Sequence, residues 1–327
     1  MNIFFNSFIS KDIHSYLQYK RALGRKFNNE ERTLKLFDNY LVEQKINNVT
    51  AVQPALIDSF IISRPRNQPR SYNHLLGVIR CFFDWLVTQE RLLCSPVKTA
   101  PRRTTSQEKP FLFEPLQITK LFSLTAQLPD NSRALHRSHI YTLIFILMYG
   151  LGLRVGEVVH LKYDEIDLER QLLVINKSKF GKTRLVPFGP QIAKSISTYL
   201  ASGNVWYGQW KPSDPVFSFS GIEQRKPIRI ETVSQAFHKL MLKLCFKVLP
   251  GIRAPHLHCL RHSFAVETLL GWYRAGINPS QKLFNLSTFM GHVDPSSTAW
   301  YLTITDELLK EANQRFEDYA KELTHEH

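Results

Sequence analysis

The chain has 327 residues, 43% of them hydrophobic, and its 42 Lys and Arg against 28 Asp and Glu give a formal net charge of +14. That length is enough for two domains with a core each, and that apolar content excludes an intrinsically disordered chain. A basic excess of this size favours a polyanionic partner, bound through counterion release and weakened by salt, over charge carried for solubility alone.

The excess is spread unevenly. Residues 1–109 hold 17 basic and 9 acidic side chains, residues 110–305 hold 22 and 12, and residues 306–327 hold 3 and 7. Two basic segments therefore precede an acidic tail, which suits a protein contact better than a nucleic acid. The longest apolar run, Tyr141 to Leu153, is too short to cross a bilayer. Met1-Asn2-Ile3-Phe4-Phe5 lacks the charged start of a secretion signal. A soluble cytoplasmic protein with no membrane partner is expected. The four cysteines have no C-x-x-C spacing, and Cys81, Cys94 and Cys245 sit among apolar residues, which predicts buried reduced thiols.

In chain order, residues 7–98 read as all-helical. Ile9, Ile13, Tyr16 and Leu17 recur at helical spacing, as do Leu34, Phe37, Tyr40 and Leu41. Thr50 to Pro54 reads as a capped helix start before Leu56, Ile57, Phe60 and Ile61. Arg64 to Ser71 reads as a loop broken by Pro65 and Pro69, with Arg64, Arg66 and Arg70 standing exposed as candidate contacts to a polyanion. A dense apolar helix follows through Leu75, Leu76, Ile79 and Leu86, in which Phe82, Phe83 and Trp85 read as core. Residues 99–112, with Pro101, Arg102, Arg103 and Pro110, read as a polar, basic linker.

The second domain, residues 113–327, opens with a helix near Pro115–Leu124 and a long apolar helix over Ser138–Tyr149. Gly150 and Gly152 break the latter and set Arg154 at the start of another helix, Val155–Tyr163. Gln171–Asn176 and Arg184–Phe188 are strand candidates, joined by a turn at Ser178–Thr183 that carries Lys179 and Lys182 and follows Lys177. Beyond residue 301, Leu308, Leu309, Ala312, Phe316 and Tyr319 mark one apolar helix face.

Five residues carry chemistry. His258-Cys259-Leu260-Arg261 is followed by Gly291-His292, and Tyr301 comes nine residues after His292. Far upstream stands Arg154-Val155-Gly156-Glu157. Arg presents a planar fork matched to two phosphate oxygens, His handles protons near neutral pH, and Tyr supplies a hydroxyl nucleophile. Together such groups can hold a phosphodiester and attack it. A zinc reading of His256, His258 and His262, or of His136 and His139, lacks the four recognisably spaced ligands of a structural site. Asp164, Glu165, Asp167 and Glu169 form an acidic cluster better read as a solvated turn than as a two-metal centre. No metal and no cofactor is expected.

The ordered series resembles the tyrosine recombinase (phage integrase) family, whose catalytic domain ends in H-x-x-R, then G-H, then Tyr. The resemblance runs from about Leu116 to the chain end, and more weakly through the N-terminal hundred residues. Around Gly271-Trp272-Tyr273 to Pro279 the chain carries extra residues relative to the simplest members of the family. With Leu286-Ser287-Thr288-Phe289-Met290-Gly291-His292 and Trp300-Tyr301-Leu302-Thr303, it looks like a subgroup associated with transposons and integrative elements.

The resemblance implies a mainly α protein with a small helical core-binding domain over 1–98, the 99–112 linker, and a mostly helical catalytic domain with a small β-sheet and hairpin over 113–327. It implies a site-specific recombinase that forms a 3′-phosphotyrosyl link and a Holliday junction on double-stranded DNA. Tyr301 would be the nucleophile, Arg154 and Arg261 the phosphate clamp, and His258 and His292 phosphate partners. Lys179, five residues before Arg184-Leu185-Val186-Pro187, would be the general acid, with Lys177 and Lys182 competing for that role or contacting DNA. It also implies a homo-tetramer in synapsis, or assembly with related recombinase subunits, with the terminal helix docked on a neighbouring subunit; packing of that helix on its own domain is the alternative. A topoisomerase IB-like or telomere-resolving enzyme, or a non-catalytic DNA-binding accessory protein, are the alternatives.

Overall fold

The computed structural model describes residues 4–103, 108–176, 183–219, 225–292 and 294–303. The chain divides into two compact units, Met1–Gln107 and Glu108–His327. Among the described residues, no helix is long and apolar enough to cross a membrane.

The first unit contains α1 (Ser10–Ala22), α2 (Asn28–Glu43), α3 (Pro54–Ser63) and α4 (Pro69–Thr88). Apolar residues at helical spacing turn inward, so Ile13, Leu34, Phe37, Phe60, Phe82 and Phe83 are fully buried. Phe37 meets Phe60 and Phe83 edge-on, at 5.0 and 5.7 Å between centroids, as aromatic quadrupoles favour. Pro54 and Pro69 open α3 and α4, where a missing N–H costs no helix bond. The helix start expected at Thr50–Pro54 is that of α3, whose N-cap position is Gln53 without a side-chain cap bond, while Asn48 caps a short 3-10 turn just before it by accepting from the Ala51 N–H at 2.8 Å.

The expected linker is held at both ends. Asn73 bonds the Arg102 carbonyl and N–H at 2.8 and 2.7 Å, and the Arg102 guanidinium lies 3.9 Å over the Tyr72 ring. Lys109 exchanges backbone bonds with Gly251 and Arg253, and Phe111 and Phe113 enter the second core. A polar composition signals a missing core, but it leaves backbone and side-chain hydrogen bonds available. The expectation of burial fails for three of the four cysteines. Cys81, Cys94 and Cys245 are exposed and Cys259 is buried, because apolar sequence neighbours can point inward while the cysteine points out.

In the second unit, α5 (Pro115–Ala126), α8 (Pro190–Tyr207) and α10 (His258–Arg274) pack on α6 (Arg137–Gly150). Ile140, Ile144, Phe145 and Met148 bury α6 at the centre of the core. The helix expected over Val155–Tyr163 stops early, as α7 (Val155–Val159). Tyr163 is drawn off by a backbone bond to Asp214 at 3.0 Å. An antiparallel sheet follows in the order β1 (Ile166–Asp167), β2 (Leu172–Ile175), β3 (Arg184–Pro187), with Ile175 opposite Arg184. The turn residues Lys177, Lys179 and Lys182 lie outside the described residues, as does the helix expected after residue 306. α9 spans Ile230–Leu244. The extra residues near Gly271–Pro279 complete α10 and start α11 (Pro279–Met290), whose first turn is capped by Asn278 at 3.0 Å. A short α12 (Ser296–Ala299) and a 3-10 turn, Trp300–Thr303, close the described chain.

Phe145 is fully buried, with the Phe237 ring at 5.5 Å. Phe145→Ala should destabilise the second unit by about 3–5 kcal/mol through lost burial and a residual cavity. Urea denaturation followed by circular dichroism checks this, and an unchanged midpoint contradicts the packing described.

Candidate active site

Helical spacing places His258, Arg261 and His262 on one face of the first turns of α10. Arg261 is fully buried. Its Nη1 donates to the Gly152 carbonyl and its Nη2 to the Met290 carbonyl at 2.7 Å, while Nε has no partner among the described residues. Gly152 has φ +58°, and a Cβ there would collide with the Phe264 ring, so a side chain is excluded where the chain turns from α6 towards Arg154.

Arg154 sits at the N-cap of α7 and donates through Nη2 to the Gly291 carbonyl at 2.7 Å. Arg184, at the start of β3, donates through Nε to the Phe289 carbonyl at 2.9 Å. Three arginines from three elements thus take the consecutive carbonyls of residues 289, 290 and 291. These are end-of-helix acceptors with no intrahelical partner, at the negative pole of α11.

Glu157 joins two of the three. It accepts from Arg154 Nη1 at 2.8 Å and the Arg154 N–H at 2.9 Å, and from both Arg184 Nη atoms at 2.9 Å. Burial works against its charge, but the hydrogen bonds and charges of Arg184 and then Arg154 win, holding its pKa at about 2. Burial, followed by the charge of Arg154, presses Arg261 down to about 9, which still leaves it cationic at neutral pH.

Gly291 ends α11 in the left-handed region, φ +69°, and a Cβ there would lie 2.8 Å from Arg184 Nη1. The next residue, His292, bonds Thr298 Oγ1 through Nδ1 at 2.6 Å, and its ring lies 6.4 Å from that of Tyr301 at 14° between planes. Burial, then Arg261 and Arg154, push His292 down to about 3, so it is neutral at pH 7. Tyr301 is 2% exposed, and its hydroxyl lies 2.7 Å from His262 Nδ1. Burial raises Tyr301 to about 12, against the pull of Arg261 and Arg154. His258 stands at the rim, with its ring 4.7 Å from that of His262. Desolvation, then His262 and Arg261, lower its pKa, while its exposure to solvent limits the effect.

Arg154, His258, Arg261, His292 and Tyr301 therefore lie in one cluster. Sequence reasoning passes over two of its members. His262 reads there as a metal candidate alone, although its place four residues after His258 puts it on the same helix face. Arg184 reads as a sequence landmark, and its side-chain role depends on three elements far apart in the chain. Among the described residues, no group of three or more His, Cys, Asp or Glu could hold a metal ion. His136 stacks on Trp206 at 3.9 Å, and Glu165 and Asp167 accept from Lys162 and Arg170 in their own turn. In the first unit, Arg64 lies 3.8 Å from Glu43, Arg66 bonds the Pro65 carbonyl at 3.2 Å, and Arg70 is exposed.

Because the Glu157 pKa is depressed in the folded chain, its stabilisation is complete above its ordinary 4.5 and is lost as pH falls towards about 2. Glu157→Gln should lower the urea midpoint at pH 7 and flatten the part of the acid-side loss that Glu157 contributes. Parallel pH curves for the two proteins would contradict this.

The phage integrase family profile matches residues 117–307. A Sinorhizobium fredii protein named as an integrase/recombinase (y4rB) is 30% identical over 307 residues, covering 93% of this chain and 96% of that protein. Tyrosine recombinase XerC of Staphylococcus saprophyticus is 25% identical over 240 residues, 73% of each chain. Among solved structures, the Tn1549 transposon integrase in complex with circular intermediate DNA superposes with TM-score 0.65 at 14% identity, covering 93% of this chain and 98% of that one. A lambda integrase dimer bound to a COC′ core site gives 0.62 at 15%, covering 88% and 96%. At such identities the structures speak for the fold, which is the mainly helical one with a small sheet. The chain belongs to the phage integrase family, the tyrosine-type site-specific DNA recombinases.

Proposed function

We propose that this recombinase serves a mobile element, in integration, excision or transposition, and that Tyr301 takes the 3′ phosphate of the cleaved strand. The observation that carries the reading is the Tyr301 hydroxyl held in one cluster with Arg261, Arg154 and His292. The transposon integrase and the lambda integrase of similar fold are described in complex with DNA, which supports a duplex partner here.

Arg154 and Arg261 would balance the charge that builds on the non-bridging oxygens, with the Arg261 Nε–H as one donor. His258 and His292 would donate to the phosphate as neutral imidazoles. Lys179 would protonate the leaving 5′ oxygen. The phenolic ester is a better leaving group than an alkyl phosphate, so a strand hydroxyl can displace Tyr301 and reseal without ATP. These cations supply the charge neutralisation for which two-metal nucleases use divalent ions. The helical residues 1–98 would serve as the core-binding domain and residues 113–327 as the catalytic one. Arg64, Arg66, Arg70, Lys177 and Lys182 would contact DNA phosphates. Two duplexes would meet in a tetramer and exchange strands through a Holliday junction. Since Tyr301 and Arg261 are buried, DNA docking must open the cluster before the phosphate enters.

A nicked duplex carrying the element's own site, incubated with the chain and run on a denaturing gel, tests the reading. A covalent protein–DNA band is expected, insensitive to a chelator and lost in Tyr301→Phe. A band that persists in Tyr301→Phe places the nucleophile elsewhere, and binding to a verified site without any band favours the accessory protein.

A further inference from the structure

We propose that His262 accepts the Tyr301 proton during strand cleavage and returns it during resealing. The assignment rests on Tyr301 being the nucleophile. The phenolic hydroxyl is bonded to His262 Nδ1 at 2.7 Å. Among the described residues, neither histidine of the family motif bonds the Tyr301 hydroxyl: His292 Nδ1 bonds Thr298, and His258 meets the His262 ring edge-on at 4.7 Å. His262 also follows Arg261 directly, so the acceptor of the proton adjoins a cation that would face the phosphate.

Among the described residues, the titratable and charged groups facing His262 are His256, His258 and Arg261 from α10 and its lead-in, His292 just after α11, and Tyr301 from the closing turn. Burial, then His256 and Arg261, lower its pKa to about 4, so at neutral pH the ring is uncharged and its Nδ1 lone pair is open to a proton. An entering phosphodiester brings negative charge that offsets the Arg261 and Arg154 cations and raises the basicity of the ring as the reaction starts. The step balances. The Tyr301 O–H bond breaks and its proton passes to Nδ1, with Nε2 keeping its own. The Oη–P bond forms, the bond from phosphorus to the 5′ oxygen breaks, and that oxygen takes a proton from the general acid. In resealing, the attacking 5′ hydroxyl gives its proton back to the deprotonated general acid as its oxygen bonds phosphorus, the Oη–P bond breaks, and Tyr301 recovers its proton from His262.

The test is single-turnover formation of the covalent adduct by the full chain on a nicked duplex. His262→Ala should slow the adduct by about 10²–10³-fold, with DNA binding in a gel shift unchanged. His262→Gln keeps a hydrogen-bonding group but cannot take a proton at this pH, so it should be slow as well. In both variants the rate should climb with pH towards the ionisation of Tyr301 more steeply than in the unaltered chain. Added imidazole should partly restore His262→Ala. A 5′-bridging phosphorothiolate, whose leaving group needs no proton, should leave the defect in place. A His262→Gln chain that reacts at the unaltered rate, or a defect erased by the sulfur substrate, overturns the assignment. Persistence of the adduct in Tyr301→Phe would instead defeat the nucleophile assignment itself.

Discussion

The C-terminal end of α11 organises this molecule's chemistry. Three carbonyls in a row, on Phe289, Met290 and Gly291, receive Arg184, Arg261 and Arg154. A buried guanidinium with no acceptors would be far too costly to keep, and end-of-helix carbonyls are acceptors that helix geometry leaves unused. One segment therefore fixes side chains from the α6–α7 junction, from β3 and from α10. Gly291 suits the point where they meet, because its backbone takes the left-handed turn and its missing Cβ leaves room for Arg184.

Charge balance in the cluster follows from the same arrangement. Glu157 is the carboxylate that binds Arg154 and Arg184, and it draws their positive ends together, while among the described residues Arg261 donates to the Gly152 and Met290 carbonyls. Arg184 thus connects the sheet to both α7 and α11. Burial first, and then neighbouring charges with Arg261 among them, lower His262 and His292, so both imidazoles are neutral at pH 7. Three arginines against the one carboxylate of Glu157 leave a cationic surplus among the described residues of the cluster, which suits an anion such as a phosphate.

Burial gives the cluster its second property. Tyr301 packs among Ala265, Leu269, Leu286 and Met290, so its phenol is kept protonated and out of solvent. The pull of Arg261 and Arg154 on its pKa is opposed by a larger desolvation effect, and an opening of this small apolar cluster changes both together. Packing and the phenol's pKa are coupled through the same ring.

Local sequence was enough to establish the helical character of both units, since apolar spacing and helix-breaking prolines are local properties. It was also enough for the residue types of the site, because His258, Arg261, His292 and Tyr301 fall in an order and spacing that the family motif shares. It misjudged the burial of three cysteines and the length of α7, where the direction of a side chain or a neighbour distant in sequence decided the outcome. Folding of the whole second unit was needed to bring Arg184 to Glu157, 27 residues away, and His262 to Tyr301, 39 residues away. Such pairings depend on where whole helices and strands come to rest, which is set by core packing and carries no signature in local spacing.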